Sequence, residues 1–275
     1  MISISLVTPS YNKAPFLEAA LRSVLDQNYP NLEYVVVDGG SQDGSINILE
    51  RYRARLSHLV IEPDGGMYDA LAKGFAQTRG DVMGYLGADD LHMPWTLSVI
   101  GEIFDSFPKI DWITTMYPLT VDKFGRVIRA RCLPPPSSRS FWRGANLPGF
   151  SWWSNGWLQQ ESTFWRRRVW ERSGGFDTSL RWAGDFDLWC RFMKLSDPVS
   201  VAAPLAAFRR HGEQISATQA EGYKHEALLT FKRHGGMEGG RIVSRMREMK
   251  RRVGLKQGGS ALHYDSISES WHFSF

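Results

Sequence analysis

The segment GYLGADD, Gly84 to Asp90, carries two adjacent aspartates at the end of an apolar run. Side-by-side carboxylates repel each other and give a buried strand nothing apolar to pack. This pattern is compatible with two roles for Asp89 and Asp90. They can cap and solvate a loop, or their combined negative charge can hold a cation, because Mg²⁺ and Mn²⁺ both prefer oxygen ligands.

Two further apolar segments also end in aspartate. LEYVVVD ends at Asp38, and HLVIEPD ends at Asp64. One acidic strand end is ordinary turn chemistry, since aspartate often begins a loop. Three acidic strand ends that meet at one edge of a sheet indicate a site.

The first hundred residues alternate strand and helix patterns, and these elements would bring the three aspartates together. Strands are expected at ISLVTPS, LEYVVVD, HLVIEPD and DVMGYLGADD, each followed by a helix; the helices begin near Pro15, Ile46, Tyr68 and Pro94. Such alternation predicts an α/β protein with a mostly parallel sheet covered on both faces. Sheets of this kind bind ligands at the carboxyl ends of their strands, where all three acidic ends fall.

The second half of the chain has a less regular pattern. Strands are expected in DWITTMYPLT and RVIRARCL, followed by an irregular Trp-rich loop at 141–157 and two helices, at 167–172 and 185–195. The segment from Gly222 onward is polar and helical in character. The last stretch, ALHYDSISESWHFSF, shows no clear structure.

The tryptophans fall into two sets. Trp165, Trp170 and Trp189 lie in helical patterns and are expected in the core. The irregular loop carries four others: Trp142, Trp152, Trp153 and Trp157. These four can stack on a sugar ring, sit at a membrane interface, or pack on one another.

Composition excludes some classes of protein. Among the 275 residues, 43% are hydrophobic and 23% charged, as in soluble globular proteins, and the net charge of +4 mildly favours anionic partners. Cys132 and Cys190 have no metal-like spacing and are expected to be reduced thiols. The chain starts without a signal-peptide pattern and contains no membrane-spanning apolar run, which predicts a cytoplasmic protein. Nucleic-acid binding would use only the basic C-terminal stretch, so no nucleic-acid partner is expected.

Four segments of the first half carry a resemblance to a known family: VTPSYNKAPFLEAALRSVLDQ, VVVDGGSQDGS, EPDGGMYDALAKG and GDVMGYLGADD. In this order they resemble the inverting family-2 glycosyltransferases, which have the GT-A fold. QQESTFWRR, GGFD and GDFDLWCRF are similar to the acceptor-side half of the same family, and the resemblance runs from Ile4 to Ser216. It implies a Rossmann-like GT-A sheet flanked by helices, with a donor-binding half at 1–109, an acceptor-binding and catalytic-base half at 110–216, and a basic helical extension at 217–275.

The resemblance implies that the first two strand ends hold the base of a nucleotide. The residues concerned are Thr8, Pro9, Tyr11 and Asp38, and Asp64 at the third strand end is assigned to the same donor-binding edge. An aromatic ring can stack on a base, and a carboxylate can accept a hydrogen bond from the imide N–H of uracil. Tyr11 can instead pack on a helix, and Asp38 can instead cap a turn.

In the family, an acidic pair binds a divalent cation that offsets the charge of the departing diphosphate. The resemblance therefore implies Mn²⁺ or Mg²⁺ as cofactor, with Asp90 as a ligand and Asp89 holding hydroxyls of the sugar or ribose. Gly87 and Ala88 stand where the family often has polar residues. His211, in FRRHGEQIS, matches a histidine that approaches the metal or the diphosphate; a structural or solvated histidine is the alternative.

GDFDLWCR matches the family's pattern around the catalytic base, with Asp185 at the position of the base. An inverting transfer needs a base because the acceptor hydroxyl loses its proton as it attacks. Asp185 can also cap the following helix, whereas Asp187 is expected to point away from it. Gly184 stands where many relatives have an acidic residue. Gln160 and Glu161 lie in a region that meets the acceptor in the family.

The sequence thus predicts a metal-dependent inverting glycosyltransferase that moves a sugar from a nucleotide-diphosphate donor, a UDP-sugar, to a hydroxyl of a saccharide or lipid-linked saccharide. The alternative is a non-catalytic nucleotide-sugar or carbohydrate-binding protein on the same fold, against which the intact Asp38, Asp90 and Asp185 argue. The basic stretch 241–256 carries one apolar stripe. It is either an interfacial helix at the inner face of the membrane or a helix packed on the catalytic domain.

Overall fold

The computed structural model describes residues 1–148, 157–212, 214–236 and 259–274. These residues form a nine-stranded and a four-stranded β-sheet, and apolar side chains of helices pack on both faces of the larger one. Three of the sequence predictions fall outside the described residues: those for Trp152, Trp153 and 241–256.

The strands are β1 (Ile4–Ser10), β2 (Leu32–Asp38), β3 (His58–Ile61), β4 (Val82–Tyr85), β5 (Leu91–His92), β6 (Trp112–Thr115), β7 (Leu119–Val121), β8 (Val127–Ala130), β9 (Phe164–Arg166), β10 (Val199–Val201), β11 (Ala206–Arg209), β12 (Ala261–Asp265) and β13 (Ser270–Ser274). The α-helices are α1 (Ala14–Leu25), α2 (Ser45–Tyr52), α3 (Met67–Ala76), α4 (Thr96–Ser106), α5 (Ser138–Phe141), α6 (Arg167–Ser173), α7 (Gly184–Leu195), α8 (Ile215–Thr218) and α9 (Ala220–Arg233). Short 3₁₀ turns lie at Arg53–Arg55 and Gln160–Ser162.

The larger sheet has the strand order β13-β12-β10-β6-β9-β4-β1-β2-β3. Strands β1 to β4 pair in parallel, so their carboxyl ends share one edge, where Ser10 lies opposite Asp38 and Asp38 opposite Ile61. Strand β9 runs antiparallel between β4 and β6. The predicted α/β architecture is confirmed, with β9 as an antiparallel insertion.

The central strands are apolar along their whole length because both faces of the sheet are buried. Leu6 and Tyr34 enter one core with side chains of α1, α2 and α4, while Val7 and Val35 enter the other with side chains of α3, α6, α7 and α9. Side chains alternate between the two faces of a strand, so each central strand contributes to both cores. This double burial fixes the strand ends in position.

Two sequence predictions about secondary structure are wrong. Trp165 lies in β9 instead of a helix, although it is fully buried as expected. The segment expected to be without structure forms the β12–β13 hairpin, which pairs with β10 through Ser200 and Ala261. Leu262 and Trp271 enter the sheet's core, so this part of the predicted extension belongs to the central sheet.

The smaller sheet, in the order β5-β11-β7-β8, continues from the acidic end of β4. Strand β5 follows Asp90 directly and pairs with β11, which in turn pairs with β7. This sheet therefore connects the acidic pair to the β7–β8 hairpin. None of the helices formed by the described residues is long and apolar enough to cross a bilayer.

Candidate active site

Asp90 lies in the turn between β4 and β5 with only 4% of its surface exposed. Its Oδ1 atom accepts a hydrogen bond from the backbone N–H of Arg209 at 2.8 Å. Burial raises the pKa of Asp90 well above its usual value, and the neighbouring carboxylates of Glu161 and Asp89 raise it further. The carboxyl group of Asp90 is therefore held inside the protein in an environment that favours its neutral form.

Asp89 has the opposite electrostatic environment. Its Oδ2 atom lies 2.8 Å from the Lys13 ammonium and 2.9 Å from Nε2 of His211. Burial raises the pKa of Asp89, but the hydrogen bond to His211 and the charge of Lys13 outweigh burial and lower it to about 2. His211 thus contacts Asp89, whereas Asp90 bonds to Arg209, and the predicted roles of Asp90 and His211 as metal ligands stay predictions.

Asp185 occupies the first turn of α7 and is partly exposed. The Tyr223 hydroxyl donates to its carboxylate at 3.1 Å, the Tyr68 hydroxyl at 3.3 Å, and the Phe186 backbone N–H at 2.7 Å. Burial raises the pKa of Asp185 to about 6, although these three donors oppose the rise. Asp185 is thus ionised above about pH 6 and can still accept a proton near neutral pH.

Gly184 provides the space that Tyr68 needs to reach Asp185. A Cβ atom on Gly184 would lie 2.9 Å from three ring atoms of Tyr68, closer than side chains pack. In this space the Tyr68 hydroxyl lies 2.8 Å from the Trp182 carbonyl and 3.3 Å from the Asp185 carboxylate, so its single proton is shared between these two acceptors. The Tyr68 ring therefore occupies the space next to Gly184 into which the acidic side chain found in many relatives would project.

Asp187 faces the other side of α7, as the sequence predicted. Its buried carboxylate contacts Arg191 at 2.6 Å, Arg233 at 2.8 Å and His234 at 2.8 Å. Burial raises the pKa of Asp187, but the hydrogen bond from His234 and the two guanidinium groups lower it to about 2. This carboxylate joins α7 to α9 and is not available as a base.

Glu161, which the sequence placed only in a region that meets the acceptor, lies near the carboxylates of Asp89, Asp90 and Asp185. It is 2% exposed, and its Oε1 atom has no hydrogen-bond partner among the described residues. Burial raises the pKa of Glu161 to about 8, with further contributions from the carboxylates of Asp185 and Asp89. Glu161 therefore favours its protonated form at neutral pH and can act as a hydrogen-bond donor.

The predicted base-binding residues separate into buried and exposed groups. Thr8 and Pro9 are buried, and the Thr8 hydroxyl lies 2.9 Å from that of Tyr34. Asp38 is fully buried and accepts hydrogen bonds from the N–H of Gly40 at 3.1 Å and from the N–H and hydroxyl of Ser41 at 2.7 and 2.8 Å. Asp38 thus caps its own turn, the alternative that the sequence left open, and its contact with a base stays a prediction.

Tyr11 and Asp64 form the exposed part of the same edge. Tyr11 is 61% exposed, and Asp64 is partly exposed. A Cβ atom on Gly39 would lie 2.7 Å from Oδ2 of Asp64 and 3.3 Å from Cδ2 of Tyr11, so both side chains lie close over the backbone after β2. Their role in binding a nucleotide stays a prediction.

Residues 5–168 match the sequence profile of Glycosyl transferase family 2. The chain belongs to this family. The matched region includes the acidic pair and Glu161 and ends before Asp185 and His211. Similar proteins include the uncharacterized glycosyltransferase MT1564 of Mycobacterium tuberculosis, 26% identical over 212 residues that make up 76% of each chain. TuaG of Bacillus subtilis, whose name places it in teichuronic acid biosynthesis, is 34% identical over 90 residues, 32% of this chain and 36% of TuaG.

Solved structures of glycosyltransferases resemble this family-2 chain in fold. Residues 1–349 of S. aureus TarS, in complex with UDP-GlcNAc, superpose with a TM-score of 0.65 at 17% identity, covering 93% of this chain and 77% of that one. The mannosyltransferase PcManGT from Pyrobaculum calidifontis, in complex with GDP-Man and Mn²⁺, gives a TM-score of 0.54 at 18% identity, covering 93% and 81%. The predicted GT-A fold and the predicted enzyme class, a glycosyltransferase, are confirmed.

The donor atoms at the acidic edge of this glycosyltransferase fit part of a divalent-cation site. Among the residues that the structure describes, no three His, Cys, Asp or Glu side chains are grouped closely enough to hold a metal by themselves. Asp89 supplies an ionised oxygen and His211 an imidazole nitrogen, both suited to Mn²⁺. A cation with so few protein ligands would take the remainder from substrate oxygens and water, as Mg²⁺ commonly does.

Proposed function

We propose that this glycosyltransferase is metal-dependent and inverting, and that it transfers a sugar from a UDP-sugar to a hydroxyl of a saccharide or lipid-linked saccharide. The observation that carries the proposal is that Asp89, Glu161 and Asp185 lie close enough together for the carboxylates of Asp185 and Asp89 to raise the pKa of Glu161. Perturbed carboxyl groups in a cleft are typical of catalytic sites. The UDP-GlcNAc bound by TarS and the name of TuaG support a UDP-sugar donor and an envelope polysaccharide.

Asp185 acts as the general base in this proposal. Its carboxylate takes the proton of the acceptor hydroxyl while the acceptor oxygen forms a bond to the anomeric carbon, and the bond from that carbon to the diphosphate breaks on the opposite face. The nucleoside diphosphate leaves with the electron pair. Tyr68 and Tyr223 position the carboxylate by donating to it, and its pKa of about 6 matches a base at neutral pH.

Asp89 and His211 would hold the divalent cation. Asp90 would hold Arg209, whose guanidinium donates to the backbone carbonyl of Asp89. The bound ion would supply positive charge against the departing diphosphate. Lys13, whose ammonium contacts Asp89 in this structure, brings a second positive charge to the same place. We place the nucleotide base at Tyr11 and Asp64, with Thr8, Pro9 and Asp38 beneath it.

Of the two loop tryptophans that the structure describes, Trp157 is the one placed to contact an acceptor sugar. It is 48% exposed and packs edge-on against Tyr223, 6.2 Å between ring centres, beside the proposed base. Trp142 instead stacks on Phe231, which fits the core packing that the sequence left open. A lipid-linked acceptor would place the enzyme at the inner face of the membrane, by peripheral contact.

A panel of nucleotide sugars tests the proposal, with thermal stability measured in Mn²⁺, in Mg²⁺ and in EDTA. We expect a UDP-sugar to raise the melting temperature only with metal, because a ligand stabilises the state that binds it. Release of UDP on addition of saccharide acceptors then measures transfer. If EDTA does not change donor binding, the metal assignment is contradicted. If the donor binds but no acceptor receives sugar, the non-catalytic alternative is favoured.

A further inference from the structure

The β7–β8 hairpin, residues 119–131, exposes apolar side chains that neither the fold nor the proposed catalytic site uses. Phe124 in the turn is 70% exposed, and Val127 and Ile128 on β8 are 59% and 55% exposed. Single exposed apolar residues are ordinary, but here three lie within five positions at the tip of one hairpin, with Val127 and Ile128 on opposite faces of β8. We call these three side chains the patch; clusters of exposed apolar side chains mark interaction surfaces.

Basic side chains surround this patch. Lys123, Arg126, Arg129 and Arg131 are all exposed, and the hairpin has one acidic residue, Asp122, which pairs with Arg126 at 2.7 Å. In the part of the chain that the structure describes, no ion pair involves Lys123, Arg129 or Arg131. The Lys123 ammonium lies 4.9 Å and the Arg126 guanidinium 5.1 Å from the centre of the Phe124 ring, so cations flank the most exposed apolar group.

One buried side chain connects the hairpin to the catalytic edge. The Arg209 guanidinium donates to the carbonyl of Lys123 in the hairpin turn at 3.1 Å and to the carbonyl of Asp89 at 2.6 Å. Its backbone N–H binds Asp90. Because Arg209 is 4% exposed and bonded at both ends, the hairpin turn has a fixed position beside the acidic pair.

We propose that the β7–β8 hairpin docks this protein on an anionic lipid bilayer. Phe124, Val127 and Ile128 enter the boundary between headgroups and acyl chains, and the basic side chains lie among the lipid phosphates. Apolar burial together with attraction to anionic lipid is how interfacial segments bind membranes. The inference rests on the proposed function, since docking through this hairpin brings the cleft to the surface that presents a lipid-linked acceptor.

The chemistry of the patch favours a bilayer over other occupants. Charged side chains on an edge strand prevent pairing with other strands, which accounts for the arginines but not for Phe124, Val127 and Ile128. A second copy paired along β8 would place rows of arginine opposite each other, which is unfavourable. A polysaccharide would stack on a flat aromatic face, but the Phe124 ring is approached by Lys123 and Arg126, and the branched aliphatic side chains of Val127 and Ile128 offer no such face.

Vesicle co-sedimentation of the full chain tests the proposal, with phosphatidylcholine vesicles compared with mixed phosphatidylcholine–phosphatidylglycerol vesicles. One variant carries Phe124→Ser, Val127→Ser and Ile128→Ser, and a second carries Arg129→Gln and Arg131→Gln. Ile267→Ser is the matched control, because Ile267 is 93% exposed in the β12–β13 turn. We expect the wild type to bind the anionic vesicles preferentially, each hairpin variant to bind them about tenfold more weakly, and the control to bind like the wild type.

The stretch 241–256 is present in every variant, so a difference between variants reports the hairpin. Hairpin variants that bind like the wild type would overturn the proposal, and so would a wild type that binds no anionic vesicles. A wild-type dimer that the serine variant converts to monomer, with vesicle binding unchanged, would assign the patch to a second copy. Transfer to a soluble acceptor should be unchanged in the hairpin variants. If the wild type shows no transfer at all, the proposed function fails while the vesicle result still stands.

Discussion

The buried environment of Asp185 favours the neutral form of its carboxyl group, and this makes the free energy of unfolding depend on pH. Its pKa is raised from 3.8 to about 6, so the folded state binds a proton more tightly than the unfolded state between those values. The folded state therefore loses stability as the pH rises from about 4 to about 6. Above pH 6 the full cost of the ionised group is present.

We expect Asp185→Asn to stabilise the fold, because it removes this cost. The free energy of unfolding at pH 7.5 should rise by roughly 1 to 3 kcal/mol relative to the wild type. Urea denaturation at several pH values measures it, and the difference should shrink towards zero near pH 4. A variant less stable than the wild type at pH 7.5 would show that the carboxylate is structural.

The two adjacent aspartates should differ in their effect on metal dependence. Asp89 is ionised and contacts His211, whereas Asp90 is enclosed and bonded to Arg209. Asp89→Asn should therefore abolish the Mn²⁺-dependent rise in melting temperature with donor. Asp90→Asn should keep that rise, because an amide can replace a neutral carboxyl that accepts one N–H bond. The reverse pattern would restore Asp90 as the ligand.

Glu161 should tolerate replacement by a neutral amide but not removal of its polar group. A glutamine matches a protonated glutamate in shape and can both donate and accept. Glu161→Gln should therefore keep kcat/KM within about threefold of the wild type, whereas Glu161→Ala should lose about tenfold or more, since it removes a polar partner worth at least 1 kcal/mol. Equal losses in both variants would mean that the carboxylate form of Glu161 is required.

Some residues of the site could be found in the sequence and others could not. Asp89, Asp185 and His211 stand within recognisable segments, so their residue types were informative. Lys13 and Glu161 gain their importance from distant partners, Lys13 from a contact across 76 positions of sequence with Asp89. Local pattern carries no information about such contacts, nor about the burial that raises the pKa of Glu161.

At the scale of elements, helix α9 holds the proposed base in position. Tyr223 donates to Asp185, and Glu226 accepts hydrogen bonds from the backbone N–H groups of Arg181, Trp182 and Ala183 at 2.6 to 3.0 Å, just before α7. Because Glu226 fixes the start of α7 and does not contact Asp185, it is a positioning residue.

Asp187 connects α7 to α9, so we expect Asp187→Asn to destabilise the fold, whereas Asp185→Asn should stabilise it. Asp187 is buried with three cationic or imidazole partners, and its pKa is lowered to about 2. Asp187→Asn should lower the free energy of unfolding at pH 7.5 by about 3 kcal/mol, because it leaves the largely buried Arg191 without its anion and Arg233 with only Asp177. The loss should decrease as the pH falls from 3.8 towards 2, in contrast to Asp185→Asn. Asparagine variants with equal stability at both positions would contradict both assignments.

The strands and helices of the first hundred residues were predictable because their apolar patterns are long and regular. Strands β9, β12 and β13 were not, since they are stabilised by neighbours distant in the sequence. Trp165 shows the difficulty: its place in β9 depends on pairing with Met83 and Trp112. Tertiary contacts of this kind override local propensity.

At the scale of the whole molecule, the cleft joins side chains from separate segments of the chain. The sheet brings Lys13, Asp89, Glu161, Asp185 and His211 to the carboxyl ends of its central strands. The separation of roles within this cleft is the central claim: one group of residues holds the donor and its cation, and Asp185 removes the acceptor's proton.

Parallel measurement of donor affinity and transfer rate in wild type and Asp185→Asn tests this claim most directly. We expect the variant to bind the UDP-sugar with a Kd within about threefold of the wild type, while the transfer rate falls by roughly 10²- to 10⁴-fold, the typical contribution of a general base. A variant that transfers sugar at the wild-type rate, or that loses donor binding together with transfer, would contradict the account.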